Sequence, residues 1–521
     1  MKYVSVAEMV AIETEANAQG LSYEQMMENA GSGLAEVVLK EYGFLNEAGA
    51  LGLVGSGNNG GDTLVALARL AREGWKTSAA ILRARPENDP LVARFSEQGG
   101  RLYDFSVEAD LKQLGGLIET HALLLDGVLG TGIKLPLRGA LAETLDFVRC
   151  KTAEMDTPPY VLAVDCPSGV DCDSGQAAAQ CIPADHTVTM AAVKHGLLKF
   201  PAYNLVGELH LVEIGLPEGG RGLSAWNRAP CFVIDADWVR AALPPRPLDA
   251  HKGTFGAALI VAGSANYTGA ALLAGKAAYR AGAGLVTLAV PEGLHTALAG
   301  QFPEATWLLL PQADGAIAAP AARPVLENLS RATAMLVGPG FGMAETSEKF
   351  IDRLLNGEGL PPLVFDADGL KLLANLREWQ ARLPASSILT PHPGEMSVLT
   401  GLPVQEIQAD RLETARAFSQ KWGHVLVLKG AFTIVAAPDG GAAILPVATP
   451  ALARAGTGDV LAGLIAGLRA QGMPPFEAAA AGVWIHAGGG VRAARALGST
   501  AAVLAGDVLR YCVDELAELA D

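Results

Sequence analysis

The chain has 521 residues, half of them hydrophobic and only 18% charged, which is apolar material for two or three packed cores rather than one. A net charge of −16 argues against a nucleic-acid partner, whose phosphates demand a surface rich in Lys and Arg. Sixty glycines and a low aromatic fraction suit tightly packed α/β layers.

The first periodic segment, Ala7-Glu8-Met9-Val10-Ala11-Ile12-Glu13, reads as an amphipathic helix. It has neither the charged start nor the apolar core of a signal peptide, and no apolar run is long enough to span a bilayer. A cytoplasmic protein is expected. The six cysteines (150, 166, 172, 181, 231 and 512) show no metal-binding spacing and read as reduced thiols.

From Met1 to about Pro217, apolar strands alternate with Ala- and Leu-rich helices, the pattern of a parallel sheet covered on its faces. The predicted strands are Ala50–Gly55, Ser78–Leu82, Ala122–Asp126, Tyr160–Asp165, His186–Met190 and Glu208–Ile214. Between the first strand and a helix from Thr63 to Arg72 lies Gly55-Ser56-Gly57-Asn58-Asn59-Gly60-Gly61-Asp62. Glycines here allow close backbone approach, and the helix start offers N–H groups and a positive dipole end to an anion. The string is not the dinucleotide fingerprint, because its last required glycine falls on Asp62. Two further strands end in acids, Asp126 before Gly127-Val128-Leu129-Gly130-Thr131-Gly132 and Asp165 before Cys166-Pro167-Ser168-Gly169. An Asn-Gly turn or a capping Asp would explain each fragment alone. Together, strand-end loops bearing Asn59, Asp126 and Ser168 can converge on one hard cation through oxygen ligands.

Pro217-Glu218-Gly219-Gly220-Arg221-Gly222 reads as a linker, so a boundary is expected across residues 218–225. The pattern then resumes from Trp226 to the end, with strands at Ala257–Ala262, Leu285–Val290, Met335–Gly338, Leu363–Asp366, Ser387–Thr390 and Val425–Lys429. Ala455-Gly456-Thr457-Gly458-Asp459 opens a helix over Val460–Arg469. Its glycines expose N–H groups suited to a transferring phosphoryl group, and Asp459 is placed to deprotonate an attacking hydroxyl. A capped helix after a glycine turn is the plain alternative. Beside it stand Lys429 at a glycine turn and Thr390-Pro391-His392-Pro393-Gly394-Glu395, where Glu395 could hold water or Mg²⁺.

Residues 1–217 resemble the epimerase domain of the NAD(P)H-hydrate repair family through GSGNNGGD, DGVLGTGI, AVDCPSGVD and the early MMENAG. The resemblance implies a Rossmann-like three-layer parallel-sheet domain. It implies substrate contacts at Asn58, Asn59, Gly60, Gly61 and Asp62, at Gly130, Thr131, Gly132, Ile133, Lys134, Leu135 and Pro136, and at Asp165, together with K⁺ ligation by Asn59, Asp126 and Ser168. Asp165 is the catalytic candidate for inversion at C6 of the hydrated ring. Thr63 departs from the family's usual glycine, and its side chain is expected to narrow the pocket mouth.

Residues 226–521 resemble the ribokinase-like α/β superfamily, in its NAD(P)H-hydrate dehydratase branch, through HKGTFGAALIVAGSANYTGAALL, FDADGL, PHPGE and AGTGD. This implies substrate contacts at Ala270, Gly342, His392 and Asp459, nucleotide contacts at Lys429, Gly430, Ala431, Phe432, Thr433 and Gly458, and Asp459 as catalytic base. The implied protein repairs hydrated NADH and NADPH. One half would interconvert the R and S hydrates, and the other would dehydrate the S form with ADP and Mg²⁺, releasing AMP and phosphate. A homo-oligomer is expected, with small molecules as its partners. The competing readings are a ribokinase-like small-molecule kinase with an accessory nucleotide-binding domain, and a non-catalytic nucleotide sensor.

Overall fold

The computed structural model describes residues 1–107, 109–385 and 387–520; Asp521, the last residue of the expected back domain, lies outside them. The chain divides into two compact units, Met1–Phe232 and Val233–Asp521.

The front unit is built on seven parallel strands. Their spatial order is Arg101–Asp104, Thr77–Ile81, Ala50–Val54, Leu123–Gly127, Tyr160–Val164, His186–Met190 and Glu208–Val212. The chain starts in the middle, runs out to one edge, then returns to the other side of Ala50–Val54. That reversal is a topological switch point, where the strand-end loops on either side splay apart and leave a crevice. Two separate apolar clusters cover the two faces, one including Leu34, Leu64 and Leu67, the other Leu114, Leu145 and Val148. The expected three-layer arrangement is therefore present.

All six expected front strands occur, each within two residues of its predicted bounds. Arg101–Asp104 escaped the sequence pattern because three of its four residues are exposed, leaving no apolar run. The first helix, Val6–Ala18, is fixed by a capping box in which Ser5 and Glu8 satisfy each other's backbone N–H groups.

The expected linker is not free chain. Leu223 and Ala225 are buried in the front unit's core, and Glu15 accepts backbone hydrogen bonds from Ser224 (2.8 Å) and Ala225 (2.7 Å). The glycine-rich turn ends at Gly222, and the apolar residues after it go back to the core they came from. The division falls between Phe232 and Val233, not across 218–225.

In the back unit, seven parallel strands run in the order Val425–Leu428, Ile388–Leu389, Leu363–Phe365, Ala334–Val337, Ala257–Val261, Leu285–Pro291 and Thr306–Leu310. An antiparallel pair, Ile434–Ala436 and Ala442–Ile444, extends the Val425–Leu428 edge. The switch point lies between Ala257–Val261 and Ala334–Val337. Helices Thr268–Arg280 and Thr457–Ala470 pack closely: a Cβ on Gly463 would strike the Ala274 carbonyl at 2.2 Å. Only small residues permit that approach, which explains the Ala- and Gly-rich sequence of both helices.

Candidate active sites

In the front unit, the crevice opens into a cavity of about 1260 Å³. It is lined by Asn58, Asn59 and Asp62 from the first loop, by Gly130 to Lys134 from the second, and by Asp165 from the third. Gly60 and Gly61 lie against protein instead: a Cβ on Gly60 would meet the Gly55 carbonyl at 2.1 Å, and one on Gly61 the Met27 sulfur at 2.5 Å. Leu135 and Pro136 fall outside the lining.

Thr63 corrects an expectation. It is fully buried beneath the loop, and its hydroxyl donates to the Asn59 carbonyl at 2.7 Å. Its side chain fills space over Gly52 and Gly127, so it supports the loop from below and does not narrow the mouth.

Asn59, Asp126 and Ser168 come together as expected. The Asn59 amide donates to the carbonyls of Val164 (2.6 Å) and Leu129 (3.2 Å). The Ser168 N–H donates to Asp126 Oδ2 at 2.8 Å, and the Leu129 N–H to the Ser168 hydroxyl at 2.9 Å. Asp126 is completely buried, and its Oδ1 has no hydrogen-bond partner. Burial holds its carboxyl above the usual range.

Asp165 follows the strand Tyr160–Val164 with φ 66°, a left-handed conformation that costs a non-glycine residue about 1–2 kcal/mol. The turn is held by donors that converge on one carboxylate oxygen: the Met190 N–H (3.0 Å), the Thr189 hydroxyl (3.2 Å) and the Lys194 ammonium. Lys194 is fully buried and was not picked out from the sequence. Asp62 lies near Asp165, and burial together with that charge pushes its carboxyl well up. Glu13, on the first helix, lines the same cavity and is also raised by burial, with Lys194 pulling the other way. The floor thus combines one ion-paired carboxylate with two that favour the protonated form.

In the back unit, Gly456 (φ 89°) caps the helix Thr457–Ala470 and brings Gly458 over the strand ends. A Cβ on Gly458 would lie 3.6 Å from Lys429 Nζ and 4.0 Å from Asp366 Oδ2. Lys429 pairs with Asp366 (2.7 Å) and Glu395 (3.5 Å). Burial opposes its charge, but the two carboxylates outweigh burial and raise its pKa. The ammonium expected to meet a nucleotide is therefore already engaged by acids. Asp366, missed as a site residue, accepts from the Thr390 hydroxyl at 2.7 Å through Oδ1, while its buried Oδ2 has no partner.

Asp459 joins this group. Burial first, then the charge of Asp366, lifts its carboxyl to about 7. Behind the loop, burial keeps His486 neutral by lowering its pKa to about 4. His392 has a structural duty as well. Its Nδ1 accepts from the Gly394 N–H at 2.9 Å as helix cap, and its Nε2 faces Glu395 at 3.3 Å. Ala270, in the first turn of the helix Thr268–Arg280, and Gly342, in the loop after Ala334–Val337, are neighbours: Gly340 packs on the Ala270 methyl, and the Gly342 N–H donates to Asp368 at 3.0 Å. In the Lys429 to Thr433 turn, Phe432 adopts φ 53°, and the Thr433 hydroxyl donates to the Gly430 carbonyl at 2.8 Å.

Both units thus gather acids at the carboxyl ends of parallel strands, beside glycine-rich helix starts. Known proteins pair these two units in the same order. A bifunctional NAD(P)H-hydrate repair enzyme of Moorella thermoacetica is 37% identical over 98% of this chain and 96% of its own length. The chain belongs to the bifunctional NAD(P)H-hydrate repair enzyme family. The Escherichia coli member is 32% identical, covering 90% of this chain and 85% of its own. The family model described as NAD(P)H-hydrate dehydratase matches residues 258–512, and that described as YjeF-related protein N-terminus matches residues 23–196. The crystal structure of an ADP/ATP-dependent NAD(P)H-hydrate dehydratase from Bacillus subtilis, co-crystallised with ATP/Mg²⁺, is 32% identical over 55% of this chain and 98% of its own, with a TM-score of 0.48. The resemblance read from the sequence is borne out, and the readings as a kinase with an accessory domain or as a nucleotide sensor are not favoured.

Proposed function

We propose that the front unit interconverts the C6 epimers of hydrated NADH and NADPH, and that the back unit dehydrates the S epimer using ADP. The observation that carries the reading is Asp459. Its carboxyl, poised near 7 at a glycine-rich helix start, is suited to take a proton at neutral pH.

In the back unit, Asp459 removes the proton of the C6 hydroxyl as its oxygen attacks the β-phosphoryl group of ADP, with AMP leaving. The N–H groups of Gly456 to Gly458 meet the charge that develops on the phosphoryl oxygens. The phosphate ester then loses phosphate from C6 and a proton from C5, restoring the ring double bond. Phosphate leaves readily at neutral pH where hydroxide does not, and this gives a dehydratase reason to use phosphoryl-transfer machinery. Lys429, charged, holds the carboxylates of Asp366 and Glu395 in position. Asp366 and Glu395 are the residues that would hold Mg²⁺ accompanying ADP, and the unpartnered Asp366 Oδ2 fits a cation. It would neutralise phosphate charge.

In the front unit, the reaction needs a proton delivered to the C6 oxygen and then taken back as water returns on the other face. Asp165 is the residue proposed for this exchange, oriented by Lys194, with Asp62 and Glu13, whose carboxyls burial raises, as neighbours. K⁺ held by Asn59, Asp126 and Ser168 fits the buried, unpartnered Asp126 Oδ1. It would supply the positive charge that oxygen lacks. The donor, the epimer preference and a cytoplasmic site of action belong to this proposal. The test is turnover of hydrated NADPH with ADP or ATP, with products separated by chromatography. AMP and phosphate formed in step with NADPH support it; NADPH formed without any nucleotide consumed overturns it.

A further inference from the structure

The front sheet carries a second polar cluster at its other edge. His186 opens the strand His186–Met190, and Glu208 opens its edge neighbour, Glu208–Val212. The parallel register sets His186 beside Glu208, and His210, two residues on, returns to the same face. One carboxylate therefore lies between two imidazoles: Glu208 is 3.8 Å from His186 Nε2 and 3.6 Å from His210 Nε2. The two rings stand 4.8 Å apart.

Those separations are too long for hydrogen bonds, which need about 2.7–3.2 Å. They are close to the roughly 3.4 Å between ligand atoms in a tetrahedral site with bonds of about 2.0–2.1 Å. One candidate ligand atom from each of the three residues lies within 4.8 Å of the others, a gap that small side-chain rotations close. Three polar atoms at this spot are shielded from solvent and have no hydrogen-bond partner: His210 Nε2, His186 Nδ1 and the hydroxyl of Tyr42, whose ring packs 5.3 Å from His186. Unsatisfied buried polar atoms are costly and ask for a partner.

We propose that His186, Glu208 and His210 bind one divalent transition-metal cation of the zinc class, bridging the last two strands at the edge of the sheet opposite the active-site loops. Two imidazoles and a carboxylate, with water in the fourth position, suit Zn²⁺ rather than Mg²⁺ or K⁺. The site is structural in effect. Along its strand His186 is about 13 Å from Met190, which lines the active-site cavity, so the cation clamps the sheet edge without touching substrate.

Untagged full-length protein, stripped with a chelator, is titrated with Co²⁺ as a visible-absorbing stand-in for Zn²⁺. Wild type is expected to bind one Co²⁺ more, with tetrahedral absorption that Zn²⁺ abolishes, than either His210→Ala or Glu208→Gln. Loss of a ligand should weaken binding by more than the ~10–100-fold that outer partners cost. Zn²⁺ should raise the melting temperature of wild type and not of the variants, with both repair rates unchanged. Glu208 is an exposed side chain, so Glu208→Gln remains a folded comparison even if His210→Ala is not. Equal Co²⁺ stoichiometry in wild type and the folded variants overturns the proposal, as does a Zn²⁺-dependent stabilisation that survives Glu208→Gln.

Discussion

The two units use one device, an acid at the carboxyl end of a parallel strand or at a helix start beside it, and give it different partners. In the front unit Asp165 is ion-paired to a buried lysine and accepts two more hydrogen bonds, so the carboxylate is held in one orientation. In the back unit the comparable lysine, Lys429, is engaged by Asp366 and Glu395, and its pull on Asp459 is outweighed. Burial and repulsion then raise Asp459 to about 7. Position in the fold says where an acid can act; its partners decide how it is oriented, and burial and neighbouring charge decide where it titrates.

That contrast can be broken most sharply at Asp459. Asp459→Asn keeps the side chain's shape but removes the proposed base, so dehydration should fall ~10²–10⁴-fold while AMP binding persists. Steady-state rates and calorimetric AMP titration check both halves of the statement. In wild type, kcat/KM for dehydration should fall about tenfold per unit below pH 7, because only the ionised carboxylate acts. Stability should move the other way. A carboxyl raised in the folded state favours folding when protonated, an advantage complete below about 4 and lost as pH rises through about 7. Asp459→Asn should therefore melt higher than wild type at pH 8, with a smaller difference at pH 5.

Lys194→Met tests the other side. Without the ammonium, Asp165 is left as a buried carboxylate beside Asp62 and Glu13, and epimerisation should drop at least ~10²-fold with dehydration unaffected. A variant that epimerises normally would remove Lys194 from the site. The smallest effect expected is at Thr63. Thr63→Gly empties the space over Gly52 and places glycine in a helix, costing about 1–2 kcal/mol in denaturant titration, with the KM of epimerisation unchanged.

Much of this was legible in the sequence, for a local reason. Strands ending in Asp126 and Asp165, and the glycines before Asn58 and Asp459, are contiguous strings whose apolar runs and turn residues declare both the element and its end. What escaped depends on distance along the chain. Lys194 finds Asp165 from 29 residues away, and Lys429 finds Asp366 from 63, through strand order that no local pattern states. Glu13 reaches the cavity from a helix that reads as simply amphipathic. The boundary was misplaced because Pro217 to Gly222 has the composition of a linker, while Leu223 and Ala225 reveal their attachment only by burial. Thr63 was read as a wall of the pocket because sequence gives a residue's neighbours along the helix, not the face it presents.

The central claim is that one chain carries two independent chemistries in two separate sites, and a progress curve tests it directly. An R/S mixture of hydrated NADPH with ADP is followed to completion by NADPH absorbance, using wild type and Asp126→Ala, which loses the buried carboxylate of the front site. Wild type should consume both epimers in one continuous phase. Asp126→Ala should consume the S fraction at the wild-type rate, then slow to the spontaneous rate of epimerisation. Complete conversion by Asp126→Ala in one wild-type phase, or equal loss of both phases in a protein that remains folded, would contradict the account.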